Sequence, residues 1–508
     1  MIIPFAIVGA VWGAIVAWHY HRLGLTLTHY DARGHLVVAR RIFDSITPGW
    51  QQIGAVWLPL PHLLNAIPVQ ADRFYRTGAS AVAISIASFA IAVAAIAWIV
   101  QRVTGSRPAA VAGAAVFALN PNVLYLQSTP MTEPLLLAST TVAIAMLMAD
   151  AATGARRSSA PSAAAADGTS AFRRATSIAF ALACLTRYEA WPVTAAAIAA
   201  GPFVRWRQGR ALVDGCRDAA SLALYPAVAI AGFSLFSRVV VGQWFVSGDF
   251  FVPENKALGD PVMALKEIGW GTQMLSGSLL AWIAGAGLAF LAVRALTRRE
   301  DAPNLFPLAL LAMAAVAWSA FEKGHPFRIR YMVPLMTVEA IGAGALAGAA
   351  RSLDASRARI VSSVIALAVL ATTVYELRPL DAQAPMVVEA QWDRPNLAAR
   401  ARVTACLGTP GDGRKIMASM GSLGHYMQEA SAQGFAIRDF LHEGNGDIWL
   451  AALESPRPFA DWILIEEKAE GGDMLAKIAR ARPSFLDGYT RVCEGAGMAL
   501  YRREPQKR

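Results

Sequence analysis

Charged side chains are scarce in this sequence. Asp, Glu, Lys and Arg make up only 16% of its 508 residues, while 55% are hydrophobic. A soluble domain carries about a quarter charged residues, so an ordinary soluble fold is excluded. Acid is the scarcer sign, with 36 carboxylates against 46 Lys and Arg and a net charge of +10. Much of that surplus is Arg in short loops between apolar runs, which is the positive-inside pattern and argues against nucleic acid as a partner. Four cysteines make no disulfide framework. Cys184 falls in an apolar run and Cys216 in an Arg-rich loop; Cys406 and Cys493 lie in a polar tail, where a bridge requires an oxidising compartment. The N-terminus lacks a basic n-region and a clear small-residue cleavage site. Met1 to Trp18 therefore reads as a retained helix, not a removed signal.

What the chain has instead is apolar length. Runs fall near 2–18, 77–100, 109–126, 133–150, 175–187, 190–204, 219–237, 270–293, 304–320, 329–349 and 360–377, a pattern of repeated spans of roughly 17–25 residues. The stretch 175–204 is too long for one helix, since its ~30 residues would rise ~45 Å against a ~30 Å hydrocarbon core. Arg156, Arg157, Arg173 and Arg174 precede it, and Arg205, Arg207, Arg210 and Arg217 follow. Both groups favour the cytoplasm, so the stretch goes out and comes back with Arg187-Tyr188-Glu189 at the outer turn. The expectation is a mainly α, polytopic membrane helical bundle of about eleven transmembrane helices over residues 1–378, multi-pass in the inner membrane with its N-terminus inside. The segment 151–172, rich in Ala, Ser and Gly, reads as a flexible inner linker.

From about Pro379 the composition becomes that of a soluble domain, expected to be a small extracytoplasmic α/β unit over 379–508. Arg414–Met420, Phe435–Leu441 and Asp461–Glu466 read as strands, Asp447–Glu454 and Met474–Arg480 as helices, and Tyr489–Arg502 as a hairpin turning at Gly495-Ala496-Gly497.

The least membrane-like part of the first half is the loop at 19–76. Long loops on a rigid scaffold usually carry function. Arg33 to Asp44 has helical spacing, with Leu36, Ala39 and Phe43 on one side, and would lie along the membrane interface. A second short helix is expected near Pro61. Sidedness alone brings four polar groups to the outer face: Asp31 with Arg33 and His35; Glu133; Arg187, Tyr188 and Glu189; and the stretch holding His325, Arg328, Arg330 and Tyr331. Acids and bases gathered in a membrane cavity point to function. The bland readings are an N-cap for Asp31, a helix-end charge for Glu133, a structural ion pair for Arg187 and Glu189, and snorkelling for Arg328 and Arg330. Five of the eight histidines, His19, His21, His29, His35 and His62, lie in or beside the loop. With Asp31 they could bind a divalent metal, but their spacings match no site; no cofactor is expected.

The order of these features resembles the type C glycosyltransferases that use polyprenyl-phosphate sugars, among them the protein O-mannosyltransferases and the aminoarabinose transferases of lipid A. The resemblance rests on Asp31 soon after the first helix, Asn120-Pro-Asn122 followed by Thr132-Glu133, Leu185-Thr-Arg-Tyr188, and a late Arg330-Tyr331 with Pro334. It spans roughly residues 1–380. It implies a catalytic Asp31 as acceptor-activating base, Glu133 as the second acid of the cavity, and inverting transfer of a sugar from a polyprenyl-phosphate donor to a hydroxyl or amine at the outer face. Arg33, His35, His62, Arg187, Tyr188, Glu189, His325, Arg328, Arg330 and Tyr331 would bind substrate. The acceptor would be a protein, a lipid or a glycan. Two departures stand out: Asp31 is followed by Ala32 where the mannosyltransferases often carry Glu, and Leu58-Pro59-Leu60-Pro61 lacks the Lys of the aminoarabinose enzymes. The competing expectation is a transporter or lipid-linked sugar flippase, whose inverted halves are not visible here.

Overall fold

The computed structural model describes residues 2–54, 57–156, 163–244, 255–352, 355–411, 414–468 and 472–505. The eleven apolar runs fall largely in helical segments, but the run 270–293, expected as one span, is broken at Gly277, where a new helix starts with the amides of Leu279 and Leu280 donating to Glu376. Helix α1 (Ile2–Arg22) leads into the first loop, which holds α2 (Tyr30–Arg40), α3 (Leu60–Asn65) and α4 (Asp72–Thr77). There follow α5 (Ala79–Thr104), α6 (Arg107–Ala118), α7 (Pro121–Leu126), α8 (Glu133–Arg156), α9 (Ala163–Cys184), α10 (Ala190–Arg207) and α11 (Leu212–Val240). Next come α12 (Pro261–Ser276), α13 (Ser278–Thr297), a 3₁₀ stretch at Arg299–Met313 running into α14 (Ala314–Glu322), a second at Ile329–Leu335 running into α15 (Met336–Ala347), and α16 (Ala355–Leu377). Among the described residues eight helical segments are long and apolar enough to cross a membrane. The chain is a multi-pass membrane protein.

The run at 109–126 is broken because the Asn120 side chain accepts from the amides of Asn122 and Val123 and restarts the helix, the usual N-cap chemistry. Segment Ile329–Ala347 is the central span, 89% of its apolar window being buried. Its closeness to α13 depends on glycine: a Cβ on Gly287 would collide with the Gly342 carbonyl, and one on Gly342 with the Ala284 carbonyl. Small residues at such crossings let backbones meet where lipid offers no hydrophobic drive. The expected inner linker is shorter than the sequence suggested. Helix α8 runs to Arg156 and α9 begins at Ala163, since Ala is the best helix former; residues 157–162 lie outside the described set.

The tail adds α17 (Pro385–Glu389), α18 (Leu397–Cys406), β1 (Ile416–Ala418), α19 (Met420–Ala430), β2 (Phe440–Leu441), α20 (Asp447–Glu454), β3 (Trp462–Glu466), α21 (Met474–Ala481), β4 (Tyr489–Gly495) and β5 (Met498–Arg503). The sheet order is β2-β1-β3-β5-β4, with β1 parallel to both its neighbours and β5 antiparallel to β3 and β4. Residues of β1 and β3 alternate between two cores: Ile416, Ala418, Trp462 and Leu464 on one face, Met417, Ile463 and Ile465 on the other. The expected strand Phe435–Leu441 shrinks to two residues because Ile437–Asp439 forms a 3₁₀ turn capped by Asp439. Cys406 and Cys493 form a disulfide.

Helix α2 corrects an expectation. Leu36 and Ala39 of its apolar side turn to the tail domain and not to lipid. Leu36, Val37 and Ala39 enter the same core as Ile416, Tyr426, Phe440 and Leu500. Polar ties reinforce the seam: Arg33 pairs with Glu429 at 2.9 Å, Gln428 donates to the Tyr75 carbonyl at 3.0 Å, and Gln52 donates to the Gly444 carbonyl at 2.6 Å. The tail domain covers the face that hydropathy alone would have left to lipid or water.

Candidate functional site

The loops that sidedness assigned to one face do meet. The amide of Leu60 bonds the Leu185 carbonyl at 2.9 Å, Tyr125 donates to the Leu25 carbonyl at 3.0 Å, and the amide of Met386 reaches Asn122 at 2.9 Å. At their junction stands Asp31, in the first turn of α2. It is not the cap of that helix; His29 is, its Nδ1 accepting from the Asp31 amide at 3.1 Å. The Asp31 carboxylate is thus left for a partner beyond its helix, and it pairs with Arg330, where the chain enters the central span. Both are more than nine-tenths buried. Burial pushes the Asp31 carboxyl up; the Arg330 guanidinium, with His29 and Arg187 farther off, outweighs that and holds it below the ordinary carboxylate value.

Arg187, in the turn between α9 and α10, is the second cation. It stands 3.0 Å from Glu133 and 2.9 Å from Glu189, and it donates to Thr132 at 3.1 Å. Burial lowers its pKa, but the two carboxylates more than reverse this and raise it. Glu133 is fully buried at the start of α8. The structural and functional readings of Arg187, Glu133 and Glu189 therefore coincide in one network, which also feels Arg330. Tyr188 beside it packs on Trp191 and Phe233, and its buried hydroxyl is without a hydrogen-bond partner among the described residues.

The other residues divide. His35 Nδ1 and His62 Nε2 are 3.0 Å apart, on the side of the cluster near Arg187. Arg328 lies 4.9 Å over the Trp392 ring, forms no ion pair among the described residues, and is within electrostatic reach of Tyr30. His325 bonds Tyr331 at 3.3 Å, and its carbonyl accepts from Asn255. Arg33 is held by the Leu27 carbonyl at 2.8 Å and by Glu429, so it joins α2 to the tail and does not take part in the Asp31 pair. The loop histidines do not converge as a metal set. No group of three or more His, Cys, Asp or Glu among the described residues could hold an ion.

Sequence reasoning missed Glu389. Its carboxylate accepts from the Ile329 amide at 3.0 Å and stands 3.8 Å from His29, so it braces both the α2 cap and the approach to Arg330. Nothing in a local window signals a contact that spans so much chain.

No protein-family model matches this sequence, and no curated protein sequence does. Solved structures do match. ArnT from Cupriavidus metallidurans bound to undecaprenyl phosphate is 14% identical with a TM-score of 0.57, covering 98% of this chain and 97% of that one. The fold is that of the type C glycosyltransferases. The oligosaccharyltransferase of Archaeoglobus fulgidus in its apo form is 13% identical with a TM-score of 0.57, over 92% of this chain and 70% of that one. The archaeal AglB in complex with an inhibitory peptide and a dolichol-phosphate gives 13% identity and a TM-score of 0.51, over 92% and 69%. At these identities the type C likeness is one of fold.

Proposed function

We propose that this protein is an integral membrane glycosyltransferase that moves a sugar, with inversion, from a polyprenyl-phosphate donor to a hydroxyl or amine at the extracytoplasmic face. The observation that carries the reading is the Asp31–Arg330 pair, which joins the first loop to the central span inside a cluster of buried acids and guanidinium groups. Two proteins of the same fold bind undecaprenyl phosphate and dolichol-phosphate, lipid carriers of the class this donor requires. The outward placement of the site is supported by the Arg-rich inner loops and by the Cys406–Cys493 bridge, a bond that persists in oxidising compartments.

A hydroxyl is a poor nucleophile. Asp31 takes its proton as the new bond to the anomeric carbon forms, a contribution of about 10²–10⁴-fold. The bond from that carbon to the phosphate oxygen breaks, and the lipid phosphate leaves with the electron pair. Its second pKa is near ~6, so no general acid is needed. Arg330 and Arg328 stabilise the departing charge. Arg330 then has two tasks, and they are ordered. A donor phosphate that engages the guanidinium weakens its hold on Asp31, so the carboxylate becomes a stronger base once the donor is in place. Glu133 and Glu189 hold Arg187 beside this path. The acceptor class is open to a protein, a lipid or a glycan, and the tail domain around α2 is placed to meet it.

The test is turnover of a radiolabelled polyprenyl-phosphate sugar by purified protein. Asp31→Asn should lower transfer by about 10²–10⁴-fold while the protein stays folded. Full activity in that variant would remove Asp31 as the base.

A further inference from the structure

A narrow crevice runs between α3 and the start of α8, with His35, His62, Asn65, Ser85 and Thr132 as its polar lining, the Ser85 hydroxyl being spent on the Thr129 carbonyl, and apolar side chains of α5 and α8 as walls. Thr132 also receives Arg187 at 3.1 Å, so the crevice adjoins the charged cluster. Its hydrogens can be assigned. His62 Nδ1 lies 3.1 Å from the Leu58 carbonyl. A carbonyl only accepts, so that nitrogen carries the hydrogen. A neutral ring has one such hydrogen, which leaves His62 Nε2 as a lone pair facing His35 Nδ1 at 3.0 Å. His35 Nδ1 must then donate, and His35 Nε2 is left bare, with no hydrogen bond among the described residues. Both rings stay neutral. Burial drives His35 well below its ordinary value, reinforced by His62, Arg187 and Arg330; burial, reinforced by Arg41, takes His62 to about 3.

Asn65 lines the same crevice. It is 3% exposed, and its side-chain oxygen is buried without a partner among the described residues. Trp57 packs on His35 with centroids 4.1 Å apart, and Gly34 makes room for it, since a Cβ there would stand 2.9 Å from the indole. One corner of a site otherwise rich in guanidinium donors therefore holds two acceptors, His35 Nε2 and Asn65 Oδ1, that have no partner among the described residues. Buried acceptors left unmet are costly, and what satisfies them must bring hydrogen.

We propose that His35 Nε2 and Asn65 Oδ1 form a subsite that receives hydroxyl or amino hydrogens of the transferred sugar. This rests on the glycosyl-transfer reading. His35 is a positioning acceptor here, not a second base. A proton taken by its Nε2 has no onward route, because the chain of hydrogen bonds ends on the Leu58 carbonyl. The imidazolium so formed would also sit beside Arg187 and Arg330.

The experiment measures binding to the full-length protein in nanodiscs. The probes are undecaprenyl phosphate alone and a panel of undecaprenyl phosphoryl hexoses, pentoses and amino sugars. Wild type should bind at least one sugar-bearing lipid more tightly than the bare carrier. His62→Leu, which frees the His35 tautomer, and Asn65→Leu, which removes the amide acceptor, should each cut that added affinity by about threefold to tenfold and leave the bare carrier alone. His62→Gln, whose amide oxygen can still accept from His35, should retain it. Histidine ¹⁵N spectra should show one bare ring nitrogen becoming hydrogen-bonded with the sugar-bearing lipid only. If the added affinity survives both leucine substitutions, the crevice holds only water and the subsite is refuted. If the bare carrier binds but no sugar improves on it, the subsite alone fails. If even the bare carrier does not bind, the glycosyl-transfer reading fails with it.

Discussion

At the scale of single residues, the most informative contrast is between two arginines two positions apart. Arg330 is committed to Asp31, whereas Arg328 rests on the Trp392 ring without an acid partner among the described residues. Replacing Arg328 by Leu should therefore spare the fold and act on ligand. The apparent affinity for a polyprenyl-phosphate donor should fall about tenfold to a hundredfold, the range of a charge-assisted hydrogen bond, and kcat should fall as well, because the same guanidinium meets the departing charge. Unchanged KM would take Arg328 out of the phosphate site. Both arginines, Asp31, Glu133 and Arg187 could be named from the sequence, because charge at the ends of apolar runs is rare enough to stand out and the Arg bias says which ends share a face. Glu389 and Asn65 could not. One ends the short helix α17 of the tail, and the other is a single amide whose unmet oxygen is visible only once α3, α5 and α8 are packed.

Among the elements, the tightest crossing is that of α13 with α15. Gly287→Val should force the two apart and destabilise the protein by about 1–3 kcal/mol, read as a lower Tm in detergent. Gly285 provides the control, since a Cβ there meets nothing within 4 Å and its Val variant should unfold with wild type. Equal behaviour of the two variants would mean that the crossing is not closely packed. Most membrane helices were legible in place, because apolar length is a signal that tertiary structure seldom overrides in a membrane chain; the break at Gly277 inside 270–293 and the tail helices α18 and α19 were not. Strands were legible in place but not in extent: β1 and β3 fall inside their expected ranges, whereas capping by Asp439 turned most of 435–441 into a 3₁₀ segment. The surroundings of α2 were not legible, since the pattern of Leu36 and Ala39 tells that a face is buried but not by what.

For the molecule as a whole, acid sensitivity follows from four neutral histidines outside the membrane spans. Burial takes His62 and His425 to about 3 and puts His35 and His442 well below their ordinary value. The unfolded chain binds protons at these rings below about pH 6.5, and the folded chain does not, so each removes about 1.4 kcal/mol of stability per pH unit below that value. Asp473, raised to about 6 by burial, works the other way as one group against four. Asp31 and Asp72, both lowered, matter only below the ordinary carboxylate range. The Tm in detergent should fall steadily from pH 7 to pH 5; a flat profile there would mean that these rings are solvated or charged. The seam between α2 and the tail also bears on how the protein is made. Arg33 meets Glu429 across 396 positions, so the helix bearing Asp31 is synthesised early and waits, half its apolar side bare, until Tyr426, Phe440 and Leu500 have been delivered and folded beneath it. Assembly of the site is thus among the last events in biogenesis, and a polypeptide stopped at the end of α16 would carry every membrane span and still have no floor under its acid.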